Sequence, residues 1–299
     1  MWGDAFAPAK INLFLHVGGP GADGYHPLCS LMAFADLGDR VSVAEAEALA
    51  CQVRGPFAGD LAGEGDNLVL RAARALIARA ATPLAAMGLT LDKRLPVAAG
   101  LGGGSSDAGA ALRLLREAWG LKLTEAELEA VAASLGADGA ACLWGRPVLA
   151  QGRGERLSPA PGLPPTDAVL VNPRIAVSTA EVYRRFDAAG AFGEVAAPAM
   201  PDLFESVEEL AGWLASARND LEAPAIAAAP EIGDVLATLA DEPETLFARM
   251  SGSGATCFAL CAGDVEAEGL AERIEAMRPE WWVRRCRLGG PWGVEDARG

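Results

Sequence analysis

The chain lacks several features that would place it in large classes of proteins. Nowhere in its 299 residues is there a run of about 18 apolar side chains, so no membrane-spanning helix is predicted. Its formal net charge of −15 disfavours nucleic acid as a partner, because phosphates attract a basic surface. The N-terminal sequence has no basic segment followed by an apolar one, which argues against a secretory signal. We therefore expect a cytoplasmic protein that binds neither membranes nor nucleic acid.

Histidine is scarce, and the cysteines form no framework. Only His16 and His26 are present, and the six cysteines are scattered in a way that suits a reducing compartment. Cys257 and Cys261 lie four residues apart in a predicted strand and therefore share a face. A metal site there would need further ligands, so we interpret both thiols as core residues.

The length suits one large or two medium domains, and we favour two. The densest proline cluster spans residues 158–165 and is the candidate boundary. This predicts an N-terminal domain over residues 1–160 and a C-terminal domain over residues 161–299.

Local patterns predict a mixture of strands and helices. Alternating or apolar runs predict strands at residues 10–17, 28–45 with an interruption at 37–39, 89–95, 168–171 and 282–287. Helical spacing predicts helices at residues 66–80 with Asp66 as the cap, 125–135, 179–186, 203–217, 220–229 and 265–277.

A glycine-rich loop dominates the first half of the chain. Four glycines occur in the five positions 100–104, and the sequence turns helical directly afterwards, with Ser105, Ser106 and Asp107 as candidate N-caps. Such a loop delivers unpaired N–H groups and the positive end of a helix dipole, which together favour an anion. The loop is not a P-loop, because Ser105 stands where lysine would follow the last glycine. The glycine spacing also fails the dinucleotide fingerprint.

The remaining pattern, from Pro96 to Ser106, resembles the ATP loop of the GHMP small-molecule kinases. Two further segments resemble the first and third motifs of that family, at residues 8–13 and 251–255. The resemblance implies a two-domain α+β GHMP kinase fold, an N-terminal domain like domain 2 of ribosomal protein S5, and an active site in the interdomain cleft. It also implies ATP with Mg²⁺ as the phosphoryl donor.

Four shorter motifs, at residues 23–26, 65–68, 92–96 and 136–138, are similar to one branch of that family. Members of this branch phosphorylate the 2-hydroxyl of a cytidine-diphosphate-linked methylerythritol in the non-mevalonate route to isoprenoid precursors. The resemblance therefore implies a small-molecule kinase, active as a monomer or homodimer.

Two of the implied residues are inconspicuous by themselves. A strand lysine such as Lys10 is usually solvated, and Asp138 could simply be a helix cap. Because both residues match positions in the motifs of the family, the resemblance implies that they are the catalytic pair. Lys10 would neutralise charge on the transferring group, and Asp138 would orient or deprotonate the hydroxyl.

The resemblance also implies two sets of binding residues. The nucleotide set is Asn67, Lys93, Pro96, Gly100, Leu101, Gly102, Gly103, Gly104, Ser105, Ser106 and Asp107, with the Ser106 hydroxyl near the metal. Family members often carry asparagine where this chain has Asp107. The acceptor set is Asn12, Tyr25, His26, Met32, Tyr183, Gly252 and Gly254, with His26 hydrogen-bonding the base edge and the tyrosines stacking on it.

Two other hypotheses about the function are compatible with the fold implied by the resemblance. A non-catalytic binder with the same fold would hold the ligands without transferring phosphate. A nucleic-acid module is disfavoured by the acidic charge. The role of Trp281, Trp282 and Trp292 is also open between packing and an interface.

Overall fold

The computed structural model describes residues 3–62 and 65–293. Within them the strands are β1 Gly3–Val17, β2 Leu28–Glu45, β3 Ala50–Arg54, β4 Met87–Asp92, β5 Val148–Gly152, β6 Arg156–Pro159, β7 Thr166–Asn172, β8 Phe247–Met250, β9 Cys257–Cys261 and β10 Trp282–Gly289. The helices are α1 Leu68–Ile77, α2 Gly103–Ala118, α3 Glu125–Leu135, α4 Gly139–Trp144, α5 Thr179–Ala189, α6 Val207–Leu214, α7 Glu222–Ala228, α8 Glu231–Ala240 and α9 Asp264–Met277. The mixed content confirms the α+β class.

One sheet connects the two halves of the chain. Its main order is β3-β4-β2-β10-β7-β9-β8, with β1 and β5 also paired to β2 and β6 paired to β5. β10 pairs with β7 along seven residues and meets β2 where Leu288 faces Ala35. The proline-rich segment therefore joins two parts of a continuous sheet, and the division at residue 160 stays a prediction.

β2 runs without the interruption predicted at residues 37–39. Gly38 lies so close to β1 that a Cβ on it would be 2.2 Å from the carbonyl oxygen of Ala7. Leu37 and Asp39 on either side are buried. The Leu-Gly-Asp sequence looks like a turn, but its glycine serves the close approach of two strands.

Several helix ends differ from the predicted ones. Asn67, rather than Asp66, caps α1, because its side chain accepts a hydrogen bond from Leu70 N at 3.0 Å. α6 is shorter than the predicted span of 203–217, since Ser206 caps it. Sequence analysis missed the helices α4 and α8 and the short strands β3, β5, β6 and β8. No helix in the described residues is long and apolar enough to cross a membrane.

Apolar clusters pack the helices against the sheet. One cluster packs α1, α2 and α3 against the β1, β2 and β4 side, and another packs α5, α7, α8 and α9 against β7, β9 and β10. Cys257 and Cys261 are both fully buried in the second cluster, which confirms their core role. Trp281 and Trp282 are buried, and Trp292 Nε1 donates to the carbonyl of Phe34 at 2.8 Å. These tryptophans pack the sheet.

Candidate active site

The glycine loop links β4 to the N-terminus of α2. Gly100 and Gly102 adopt φ of 77° and 61°, which favours glycine. A Cβ on Gly100 would lie 2.3 Å from the carbonyl oxygen of Ser251, so no side chain fits there. Gly102 occupies the N-cap of α2, which places Ser105 in the first helical turn and Asp107 in the second, rather than at the predicted cap.

The third motif holds this loop in place. Ser251 Oγ donates to the carbonyl of Gly100 at 3.0 Å and accepts from Asn12 N at 3.1 Å. Thr256 N donates to the carbonyl of Ala99 at 3.1 Å. The three separate motifs of the sequence thus meet through one serine hydroxyl and one backbone bond, and Ser251 is a residue that sequence analysis did not single out.

Lys10 and Asp138 lie side by side. Lys10 is 3% exposed; its Nζ donates to Asn12 Oδ1 at 2.5 Å and lies 3.3 Å from Asp138 Oδ2. Asn12 Nδ2 donates in turn to Ser30 Oγ at 2.7 Å, which fixes the amide orientation. Asp138 sits at the N-cap position of α4, but in the described structure its side chain caps no backbone N–H. Its carboxylate, 30% exposed, is therefore turned to the lysine and the adjoining cavity.

A cavity of about 560 Å³ collects most of the predicted site. Predicted residues that line it are Lys10, Asn12, Met32, Asn67, Lys93, Pro96, Gly100, Gly102, Gly103, Gly104, Ser105, Asp107, Asp138, Tyr183 and Gly252. The N-terminus of α2 is part of its wall, so the unpaired amides of the first turn adjoin this space. The arrangement suits a polyanionic ligand despite the acidic charge of the whole protein.

Three predicted nucleotide or acceptor residues play supporting parts. Leu101 is buried in the core, and its carbonyl accepts from Lys10 N at 2.8 Å. Gly254 N donates to the carbonyl of Ser251 at 3.0 Å and so closes the turn of the third motif. Ser106 is fully buried, whereas the neighbouring Ser105 lines the cavity. The metal role implied for Ser106 stays a prediction.

Beneath the cavity, Lys93 bridges two buried carboxylates. Its Nζ donates to Asp39 Oδ2 at 2.5 Å and to Asp107 Oδ2 at 2.8 Å. Asp39 Oδ1 also accepts from the backbone N–H groups of Arg94 and Leu95, at 2.6 and 2.9 Å. Asp39, fully buried in β2, was missed because nothing local distinguishes it from a strand aspartate. The cluster ties β2 and the start of the loop to α2.

This cluster also shifts the ionisation of its members. Burial alone would lower the pKa of Lys93, but Asp107 and Asp39 outweigh it and raise that pKa above its usual value. Burial raises the pKa of Asp107 well above its ordinary value, against the opposing effect of Lys93. Two carboxylates thus share one buried cation at the base of the cavity.

The thiol of Cys142 lies near Lys10 and Asp138, 3.8 Å from the carbonyl oxygen of Gly102. Burial, followed by the charge of Asp138, raises the pKa of Cys142 to about 12. The thiol stays neutral at physiological pH and packs the loop rather than acting as a nucleophile.

A second cavity, of about 1100 Å³, adjoins the first through Leu28, Ala137 and Tyr183, which line both. Tyr25 and His26 belong to its wall. Tyr25 is 60% exposed, and the guanidinium of Arg153 lies 4.2 Å from its ring centroid. An exposed aromatic ring beside an open cavity suits a planar ligand group.

His26 contacts two protein oxygens through its ring nitrogens. Its Nδ1 lies 2.8 Å from the carbonyl oxygen of Gly18, and its Nε2 lies 3.4 Å from Asp187 Oδ1. Both ring nitrogens therefore face protein oxygens, and the hydrogen bond to a base edge stays a prediction. Tyr183 packs against the imidazole with ring centroids 4.9 Å apart. Burial, with Asp138 and Asp187 nearby, raises the pKa of Tyr183 to about 12, so its hydroxyl stays neutral.

Comparison with protein-family models finds two matches. Residues 67–146 match the family described as "GHMP kinases N terminal domain", and residues 199–279 match the family described as "GHMP kinases C terminal". The first match contains the glycine loop and Asp138, and the second contains the Ser251 turn. The two matches thus cover the second and third of the three motifs that meet at the cavity, and the first, at residues 8–13, lies before them.

Individual relatives match over nearly their whole length. A 4-diphosphocytidyl-2-C-methyl-D-erythritol kinase of Caulobacter sp. (strain K31) is 66% identical, with 97% of this chain and 99% of the relative covered. One of the same name from Cereibacter sphaeroides (strain ATCC 17025 / ATH 2.4.3) is 50% identical over 96% and 99%.

Solved structures of kinases share this fold over nearly the whole chain. A crystal structure of 4-(cytidine 5'-diphospho)-2C-methyl-D-erythritol kinase is 35% identical, with a TM-score of 0.76 and coverage of 97% and 100%. A homoserine kinase from Cytophaga hutchinsonii shares the fold at 17% identity, with a TM-score of 0.69 and coverage of 97% and 96%.

Proposed function

The chain belongs to the GHMP kinase family, within it to the 4-diphosphocytidyl-2-C-methyl-D-erythritol kinases, and on that premise we propose how its own residues carry the reaction. It is a small-molecule kinase that moves the γ-phosphoryl group of ATP to the 2-hydroxyl of 4-diphosphocytidyl-2-C-methyl-D-erythritol, in the non-mevalonate route to isoprenoid precursors. One observation carries the assignment of roles: the Lys10–Asp138 pair and the glycine loop share a cavity that opens into the one lined by Tyr25 and His26.

The triphosphate binds at the N-terminus of α2. Backbone N–H groups of the loop and of the first helical turn donate to phosphate oxygens, and the helix dipole favours the negative charge. This local site is required because the net charge of −15 would repel a polyanion from the protein as a whole. Asn67 and Lys93 also line this cavity, and in this proposal they flank the base.

Asp138 acts on the acceptor hydroxyl. Its carboxylate accepts the hydroxyl proton or orients the oxygen toward the γ-phosphorus, and Lys10 neutralises charge that develops on the transferring group. Asn12 holds the ammonium from the opposite side at 2.5 Å. Phosphoryl transfer requires little covalent chemistry of the protein, so positioning by these three side chains supplies much of the catalysis.

Mg²⁺ accompanies the nucleotide in this proposal. Magnesium is held by one or two carboxylates together with substrate phosphates and waters. The described residues contain no group of three or more His, Cys, Asp or Glu that could hold a metal by themselves. The Asp138 carboxylate and the Ser105 hydroxyl in the cavity fit a metal that the phosphates bring with them. When bound, the ion would neutralise the triphosphate.

The cytidine end lies in the second cavity. Tyr25 and Tyr183 offer aromatic surface for the base, and Leu28 and Ala137 lie where the two cavities join. The acceptor would then span the junction, with its methylerythritol end near Asp138.

A coupled ADP-release assay tests the proposal. We expect turnover with the cytidyl substrate and none with homoserine or mevalonate, and phosphorus NMR of the product should show a monoester at the 2-position. Turnover with homoserine or mevalonate alone would assign the chain to another GHMP activity. Binding of ATP and the cytidyl compound without ADP formation would instead indicate the non-catalytic binder.

A further inference from the structure

Asn219, in the segment between α6 and α7, carries a buried amide to which the reaction above gives no role; the residue is 8% exposed. Its Nδ2 donates to the carbonyl of Met250 at 2.9 Å and to the carbonyl of Gly252 at 2.8 Å. Its Oδ1 accepts from Leu221 N at 3.0 Å. Both protons of the amide and its oxygen are therefore engaged, which fixes the orientation of the side chain.

The two carbonyl groups that Asn219 holds lie on either side of Ser251. The backbone N–H of Ser251 donates to the carbonyl of Thr256 at 2.9 Å, so the turn is also closed from within. The hydroxyl of Ser251 is the group that contacts both the Gly100 carbonyl of the glycine loop and the backbone N–H of Asn12. A displacement of the turn would therefore move the one hydroxyl that joins the three motifs.

Gly252 brings the same turn against the side of the catalytic lysine. It has a φ of 59°, and a Cβ on it would lie 3.1 Å from Asn12 Oδ1 and 3.3 Å from the carbonyl oxygen of Gly100. Asn12 Oδ1 is the atom that accepts from Lys10 Nζ. The turn thus packs against the amide that holds the Lys10 ammonium.

The backbone around Asn219 is anchored to β1. The carbonyl of Arg218 accepts from Leu15 N at 2.9 Å, and Asp220 N donates to the carbonyl of Leu15 at 2.9 Å. Since β1 also carries Lys10, Asn219 takes its position from the same strand as the catalytic lysine. Its amide therefore sets the distance between that strand and the turn of the third motif.

We propose that Asn219 is a positioning residue for phosphoryl transfer: it fixes the turn, and with it the Ser251 hydroxyl, so that Lys10 and the glycine loop keep the relative placement that the reaction requires. Phosphoryl transfer depends on positioning more than on covalent chemistry, so a small displacement between these groups lowers the rate. The inference rests on the proposed function, because it concerns the geometry of that same reaction.

The test measures kcat and KM in Asn219→Asp and Asn219→Ala, at a temperature at which circular dichroism shows each variant to be folded. Asn219→Asp keeps the shape and one acceptor oxygen but turns a second oxygen toward the two carbonyls. Asn219→Ala removes both donors without burying a charge, so it carries the test if Asn219→Asp does not fold. We expect kcat to fall about 10- to 100-fold, with KM for ATP close to that of the wild type.

Asn172→Asp is the matched control. Asn172, at the end of β7, is 1% exposed; its Nδ2 donates to Thr256 Oγ1 at 2.9 Å and its Oδ1 accepts from Arg174 N at 2.7 Å. The threonine hydroxyl can rotate to donate to a carboxylate, so this variant buries a similar charge without setting an oxygen against the turn carbonyls. It should lose stability and keep the kcat of the wild type.

A double-mutant cycle with Ser251→Ala examines how Asn219 acts. If the amide acts through the Ser251 hydroxyl, the fall in kcat in the double variant should be smaller than the product of the two single falls, because the group to be positioned is already gone. Falls that multiply would show that the two residues act independently and would overturn the inference.

The remaining outcomes separate this inference from the proposed function. If the wild-type protein phosphorylates the cytidyl substrate and the folded Asn219 variants keep its kcat, the inference is overturned while the function stands. Equal falls in kcat for Asn219→Asp and Asn172→Asp would reduce Asn219 to a support for the fold and would also overturn it. If the wild-type protein does not phosphorylate the cytidyl substrate, the proposed function itself fails.

Discussion

Asp39 and Lys93 form a buried ion pair, with 2.5 Å between Oδ2 and Nζ, directly beneath the nucleotide end of the cavity. Asp39 is fully buried and Lys93 is 3% exposed, so neither charge can turn to water if the other is removed. The pair joins β2 to the segment that leads into the glycine loop, and Lys93 then reaches Asp107 on α2. The proposed nucleotide site and the fold therefore share this contact.

The substitution Asp39→Asn should weaken both properties. The amide oxygen can still accept from Arg94 N and Leu95 N, but its NH₂ group would face the Lys93 ammonium. Breaking a buried pair predicts a loss of about 3 kcal/mol in the free energy of unfolding, measured in urea, and a raised KM for ATP. Asp4→Asn is the control, because Asp4 pairs with Arg40 in an exposed bridge and should change stability little. Equal stability of the two variants would contradict this account.

Asp138→Asn should abolish turnover while ATP binding persists. The amide is similar in size to the carboxylate but cannot take the hydroxyl proton, and general bases contribute roughly 100-fold or more to a rate. The measurements are ADP release for turnover and calorimetric titration for ATP affinity. Turnover at the wild-type rate would show that Asp138 has no catalytic part.

Gly100→Ala should destabilise the protein by more than the usual cost of placing alanine at a positive φ. Its Cβ would lie 2.3 Å from the Ser251 carbonyl oxygen in addition to requiring a φ of 77°. Gly120→Ala is a matched control, since Gly120 has a φ of 60° and a Cβ there would meet no atom of the described chain within 4 Å. We expect Gly120→Ala to cost about 1 kcal/mol of unfolding free energy with normal KM for ATP. Gly100→Ala should lose more stability and raise that KM, and similar behaviour of the two variants would argue against the clash.

His16 should make the protein less stable in acid. Burial lowers the pKa of His16 from 6.5, in competition with the raising effects of the Ala196 carbonyl and Asp220. Its Nδ1 lies 2.8 Å from that carbonyl oxygen, and its Nε2 accepts from Arg218 N at 3.3 Å, so the folded protein holds the neutral ring. A lowered pKa gives stability that is full above 6.5 and is lost as the pH falls through the lower folded value.

The measurement is the free energy of unfolding in urea between about pH 8 and pH 5, for the wild type and His16→Gln. The glutamine can replace the two hydrogen bonds without a charge that titrates in this range. The wild type should lose stability relative to the variant as the pH falls. Parallel curves would mean that His16 is not responsible.

The sequence was informative where function needs a local pattern. The glycine loop could be recognised because close backbone approach excludes side chains over several consecutive positions. Lys10 and Asp138 could be assigned only because other motifs of the same family accompany them. Asp39 and Ser251 acquire their roles from segments 50 or more residues away, so no local spacing could reveal them. No local pattern marked Asp187 either, because its partner, His26, lies in a loop that is distant in sequence.

Fold prediction failed for comparable reasons. The glycine in β2 was interpreted as an interruption because its close contact with β1 is a tertiary fact. Short strands such as β8 carry too few residues to display alternation. Predicted helix types were more reliable than their ends, because a cap depends on one side chain.

The position of β10 affects how the protein is made. Residues 282–289 form a strand between β2 and β7, in the middle of the sheet, yet they are synthesised after both of these neighbours. Until then β7 keeps an edge unpaired along seven residues, and such an edge can recruit another chain. Pairing of β10 with both strands therefore removes this exposed edge and joins the two parts of the sheet that carry the glycine loop and the Ser251 turn.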